Sequence, residues 1–284
     1  MGKWMFEEVF GGGAFSGVYD ILNVALLGGS KYSNATDLIK NIYQNVMVPI
    51  ALSLLVIYFV CTLIEKSTNE QFTYEQMFLL FAKMIVAVFL IDKGYDLMMK
   101  FQEVGLGFLN SFHTVASDKG LTSGSGAIAN DDNLKALYKA YLGVDYPNEP
   151  GWIDGIKNLI SGRGITLLLA WVFSFVVKIA VYLIVFMRIL EVFLRTMFAP
   201  VALSDVFYNG LNSTGFRFLK NYLAVSMQIV VIYGCVILYN VLMADIATGV
   251  GRSAFLVKYL GLTAATVGVL FKSQSLIKEF VGTN

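Results

Sequence analysis

Between Val46 and Ile64 the chain carries no charged residue. A helix of that length crosses the ~30 Å hydrocarbon layer of a bilayer, where every backbone polar group must be satisfied inside the segment. The run therefore calls for a transmembrane helix, and four more apolar runs follow it. Met77 to Ile91 gives about 22 Å of helix, short for a crossing. It contains Lys83, and it must borrow either Phe72 and Tyr74 from one flank or Asp92 and Lys93 from the other. Gly164 to Met187 has Lys178 near its middle, Tyr222 to Met243 holds Gln228 and Asn240, and Ala254 to Phe271 has Lys258 near one end. Only 14% of the chain is charged, against about 25% in a soluble domain. The predicted fold class is all-α: a polytopic membrane protein with about five transmembrane helices, an N-terminal amphipathic helix and one long extracytoplasmic connection.

The chain divides accordingly. Residues 1–45 form an N-terminal amphipathic segment, broken at Gly11, Gly12 and Gly13, in which Phe15, Val18, Ile21, Leu22 and Ala25 recur at helical spacing. That stripe suits either the membrane interface or the protein's own periphery. Residues 46–97 hold the first two spans, and Pro49 is expected to kink the first away from the helix before it. Residues 98–163 form the extracytoplasmic connection. Lys100 to Phe112 extends the second helix, residues 117–132 read as a Gly/Ser/Asp-rich loop, and Trp152, Ile153, Ile156 and Ile160 read as a small helix face. Residues 164–284 form a three-helix membrane region around a motif at 188–228. Ala199-Pro200 is expected to end the helix that enters this motif. Ser213 or Thr214 is suited to cap the helix that leaves it. Lysine and arginine counts in the short loops put Lys66, Arg188, Arg195, Arg217, Lys220, Lys272 and Lys278 on one side. By the positive-inside rule that side is cytoplasmic, with the N-terminus outside and the C-terminus inside.

Catalytic chemistry is missing from the pattern. The chain has no phosphate-cradling P-loop, no H-E-x-x-H pair and no serine in a nucleophile elbow. His113 is the only histidine and lacks a ligand partner. Cys61 and Cys235 sit in separate apolar runs and read as small core residues. No enzyme, metal or cofactor is expected. The N-terminus lacks a long apolar run after a basic start and carries Phe6 where a myristoylation site needs Ser or Thr, so it reads neither as a cleavable signal peptide nor as a myristoylation site.

Polar residues at membrane depth, and others one to two turns beyond it, stand out instead. Arg188, Glu191 and Arg195 are spaced by three and four and share a helix face. With Asp205, Arg217 and Lys220 they are candidates for a collar that meets partner subunits or substrate. Lys83, Lys178 and Gln228 are candidates for lining a lumen, since no acid stands at the depth of either lysine in the sequence. A lysine in the bilayer zone usually faces protein or a water-filled cavity, although snorkelling to the interface is the plainer alternative.

The stretch F-x-R-x-x-F-A-P-x-A-L-S-D-V-F, followed by G-x-N-S-T-G-F-R-F-L-K-N-Y, resembles the TrbL-type polytopic inner-membrane subunit of conjugative type IV secretion systems, especially the shorter form of Gram-positive mobile elements. The matching residues are Arg188, Arg195, Pro200, Asp205, Gly215, Phe216, Lys220 and Gln228. The rest of the chain agrees in hydropathy and element order. The resemblance implies a homo-oligomeric subunit of the cytoplasmic membrane. It would form part of the path for DNA–protein transfer beside other secretion-system membrane subunits, separate ATPases, membrane lipid and, transiently, the transferred complex. The alternatives are a small-solute transporter or channel, for which no internal repeat is evident, and a purely structural membrane scaffold.

Overall fold

The computed structural model describes residues 2–10, 15, 17–24, 33–68, 73–118, 135–136, 138–139, 142–148, 151, 163–209, 213–247 and 252–282. Among these, regular structure is helical throughout. The helices are α1 (Gly2–Phe10), α2 (Val18–Val24), α3 (Ser33–Ile42), α4 (Val48–Thr68), α5 (Tyr74–Asp118), α6 (Arg163–Ser204), α7 (Val206–Asn209), α8 (Thr214–Ala247) and α9 (Arg252–Val281). Among the described residues, four stretches are long and apolar enough to cross a membrane: Ser33–Thr68, Ile165–Tyr208, Thr214–Met243 and Val257–Phe280. The expected second span lies within α5 and is helical throughout, but α5 is not one of these four. Its apolar run is interrupted by Lys83 and closed by Asp92 and Lys93. Large apolar side chains are exposed along α5 and α6, among them Phe78, Ile85, Phe89, Leu190 and Leu194. Contiguous exposed apolar surface on that scale suits contact with lipid.

The prolines bear on two expectations. At Pro49 the chain stays helical: a π-helical turn over Tyr43–Met47 joins α3 to α4. Proline lacks an N–H and crowds the carbonyl one turn back, and a widened turn just before it absorbs both. Pro200 does not end α6, which continues to Ser204. Its missing donor costs one backbone hydrogen bond near a helix end. Beyond it the buried stripe of Ala199, Leu203, Val206 and Phe207 continues, and each large side chain in such a stripe is worth about 1.5–3 kcal/mol when fully buried.

Two compact units emerge. The first comprises Met1–Leu22, Phe108–Phe186 and Val230–Ser273. Within it the N-terminal stripe is turned onto protein: Phe6, Val9, Phe10, Phe15, Val18 and Leu22 are all buried. Phe6 meets Tyr138 edge-on, Phe15 lies against Tyr239, and Trp4 lies beside Trp171. Of the stripe expected from the sequence, Phe15, Val18 and Leu22 are buried, Ile21 is half-buried and Ala25 lies outside the described residues. His113 stacks on Tyr19 and shares a 2.6 Å hydrogen bond with Tyr233. α5 reaches Asp118, so the connection to α6 begins later than residue 98. The rest of the expected 117–132 loop and Trp152, Ile153, Ile156 and Ile160 lie outside the described residues.

The second unit comprises Asn23–Gly107, Met187–Ile229 and Gln274–Asn284. Its core joins Tyr43, Leu55, Ile91 and Met98 to Ala199, Leu203, Phe207 and Tyr222. The Tyr43 hydroxyl donates to the Ile91 carbonyl at 2.8 Å, tying the π turn to α5. Ser and Thr residues in the helices mostly return their hydroxyls to the carbonyl four residues back, as Ser53, Thr62, Thr68, Thr114, Ser226 and Thr266 do.

A buried polar cluster on α6

The site lies in the second unit. The three-and-four spacing on α6 places Arg188, Glu191 and Arg195 on one face, and they form a single cluster. Arg188 Nη1 donates to Glu191 Oε2 at 2.8 Å, and Arg195 Nη2 donates to Glu191 Oε1 at 2.6 Å. From α9, Gln274 Nε2 donates to the same Oε1 at 2.9 Å. One carboxylate therefore serves two guanidinium groups and an amide. The cluster is graded in depth: the Arg188 side chain is 3% exposed, Arg195 24% and Glu191 29%. The Nε and Nη2 groups of Arg188 have no hydrogen-bond partner among the described residues.

A second polar chain runs through buried side chains of the same unit. Gln102 Nε2 on α5 donates to the Tyr222 hydroxyl, and that hydroxyl lies 2.7 Å from Thr196 Oγ1. Thr196 donates in turn to the Val192 carbonyl at 2.8 Å. This fixes the direction: the amide donates to the phenol, the phenol to Thr196, and Thr196 to the backbone. Tyr222 also lies within electrostatic range of Arg188. Close approach of α5 and α8 allows the first step. Gly105, one turn beyond Gln102, sits where a methyl group would come within 2.6 Å of the Ser226 carbonyl oxygen. Small residues permit such backbone contact between membrane helices.

The other candidates fall outside the 188–195 stretch. Asp205 is a cap: its Oδ2 accepts the Thr214 N–H at 2.7 Å, while Ser213 Oγ accepts the Phe216 N–H at 3.1 Å, and together they start α8. Arg217 and Lys220 are exposed and form no ion pair among the described residues. Gln228 is buried. Lys83 is exposed on α5, on a surface otherwise lined by Leu79, Ile85 and Val86.

Lys178 requires a correction. The sequence seemed to leave it without an acid at its depth, but in the first unit Lys178 Nζ meets Glu8 Oε1 at 2.7 Å, with side chains 25% and 19% exposed. Glu8 comes from α1, and folding of the N-terminus onto the protein supplies the missing charge. The argument for Lys178 as an unpaired lumen ammonium therefore fails. Sequence reasoning also missed Gln102, Thr196, Tyr222 and Gln274.

Residues 30–200 match the family model described as TrbL/VirB6 plasmid conjugal transfer like protein. The match covers more than half of the chain. It takes in Arg188, Arg195 and Pro200 and stops before Asp205, Gly215, Phe216, Lys220 and Gln228. No curated protein and no solved structure matches the chain.

Proposed function

The chain belongs to the TrbL/VirB6 plasmid conjugal transfer-like family, and from that premise we propose that this conjugal-transfer membrane subunit acts as a homo-oligomer forming part of the path for DNA–protein complexes. The family match is the observation that carries the reading. In this reading the subunit is not an enzyme, and separate ATPases of the secretion system supply the energy. The Arg188–Glu191–Arg195 cluster, with exposed Arg217 and Lys220, forms the cytoplasmic face that meets partner subunits or substrate. The burial of Arg188 against protein supports a structural anchor within that face, and the exposure of Arg217 and Lys220 supports contact outward. Lys83 is the remaining candidate for a charged lumen.

We place the protein in the cytoplasmic membrane with its N-terminus outside and its C-terminus inside. That topology needs α5 to cross as well as the four apolar stretches, and a helix of its length, about 68 Å, is ample. Reporter fusions at the two termini test it, and reporters on the same side would refute a crossing by α5. Oligomeric mass in mild detergent, by native mass spectrometry, tests the channel reading. A discrete ring-sized species is expected, and a clean monomer would count against it. Crosslinkers at positions 217 and 220 that capture transferred substrate would separate a conduit from a scaffold.

A further inference from the structure

Arg188 presents an unusual combination. Its end-on nitrogen, Nη1, is used by Glu191, while its side-on edge, Nε together with Nη2, is buried and has no partner among the described residues. That edge is the planar fork that takes two oxygens of one phosphate or carboxylate. The cluster also carries more positive charge than negative: two guanidinium groups face one carboxylate, and Glu191 Oε1 is already shared by Arg195 and Gln274. A buried water could satisfy the donors but would leave the excess charge. On the α6 surface next to Glu191 and Arg195, the side chains of Leu190, Leu194 and Phe198 are exposed. An anion placed at Arg195 therefore borders an apolar surface running along the helix.

We propose that Arg188 and Arg195 form a binding site for the phosphate of an anionic phospholipid. The phosphate is held by Arg195 on the exposed side and by the vacant fork of Arg188 from within, and the acyl chains lie along Leu190, Leu194 and Phe198. Glu191 is the internal counter-ion that the phosphate partly displaces. The inference rests on the chain being a membrane protein and not on the channel reading, because a monomer that forms no conduit would still select the lipid.

The test uses the full chain purified in neutral detergent. Phosphatidylglycerol and phosphatidylcholine with identical acyl chains are titrated in, and retained lipid is read by native mass spectrometry and by melting temperature. Phosphatidylglycerol is expected to be retained preferentially and to raise the melting temperature. Arg195→Gln should weaken its binding roughly tenfold or more, the loss expected for a hydrogen bond to a charged group. Arg188→Gln should do the same if it folds. Glu191→Gln, which removes the competing carboxylate without removing a cation, should tighten binding and be rescued by the lipid. Competition by millimolar glycerol phosphate or inorganic phosphate identifies a free anion as the source and keeps the phosphate chemistry. Equal retention of the two lipids, an unchanged preference in Arg195→Gln, or weaker binding in Glu191→Gln would each overturn the proposal. Loss of self-association in Arg195→Gln without lipid selectivity would assign the fork to a carboxylate of a second copy, which also overturns it.

Discussion

Removing the Glu191 carboxylate should cost far more than removing Arg195, the more accessible of its two arginine partners. In Glu191→Ala, Arg188 loses its ion-pair partner while only 3% of its side chain reaches the surface. An ion pair broken in that way leaves an uncompensated buried charge, at a cost of about 3–5 kcal/mol. Arg195, at 24% exposed, can turn outward, and an accessible pair contributes about 0–1 kcal/mol. Gln274 loses one acceptor, worth about 1 kcal/mol. At about 2–4 °C per kcal/mol for a chain of this size, Glu191→Ala should melt roughly 10 °C or more below the parent. Arg195→Ala should fall by no more than about 4 °C. Melting in neutral detergent, followed by far-ultraviolet circular dichroism, measures both. The double variant Arg188→Met/Glu191→Leu, which empties the site of buried charge, should recover most of the loss. Equal shifts in Glu191→Ala and Arg195→Ala, or a double variant as unstable as the single, would refute the idea that the buried guanidinium sets the cost.

Gly215→Ala should destabilise by about 1–3 kcal/mol, because the new methyl would stand 2.7 Å from the Ala202 carbonyl oxygen and 2.5 Å from Val206 Cγ2. Gly234→Ala on the same helix meets nothing within 4 Å and should stabilise by about 0.5–1 kcal/mol; the same melts compare them. Lys178→Leu should cost about 1.5–3 kcal/mol by stranding Glu8, and a further Glu8→Gln change should restore part of it. Limited proteolysis of the N-terminus reads that pair directly. Tyr222→Phe removes the acceptor of Gln102 and the donor to Thr196, and should cost about 1–3 kcal/mol in the melt.

What the sequence made legible was local. Apolar runs announced helices, and the spacing of Arg188, Glu191 and Arg195 put three charges on one face because helical geometry converts a spacing of three or four into adjacency. A cap at Ser213 or Thr214 was legible from residue type at a helix start, and Ser213 is the one whose hydroxyl accepts the Phe216 N–H. The remaining partners came from far along the chain: Gln274 lies 83 positions from Glu191, and Glu8 lies 170 from Lys178. No periodicity carries that information, since it depends on how helices pack. Asp205 is a further case: its side chain accepts from the Thr214 amide nine positions on, a partner that its charge alone did not announce. Pro200 misled because a rule about local breakage was applied where burial beyond it outweighed that rule. The family-model match likewise lies largely outside the motif that first suggested it, in segments whose likeness the motif residues do not show.

The hydroxyls that bond back into their own helices carry a mechanical consequence. A serine or threonine satisfied four residues back makes no crosslink to its neighbour, so two helices meeting through such residues resist relative sliding only through side-chain interlock. Resistance to shear is then concentrated at the few hydroxyls that do reach across. Among the described residues these include Tyr43 to the Ile91 carbonyl and Tyr222 to Thr196 in one unit, and Tyr19 to Asn110, Tyr233 to His113, Ser174 to Tyr259 and Tyr239 to Thr263 in the other. Each unit is thus pinned at discrete points along otherwise smooth helix faces. Small axial displacements of one helix past another, of the kind seen in shear motions, meet their main hydrogen-bonded opposition at those pins.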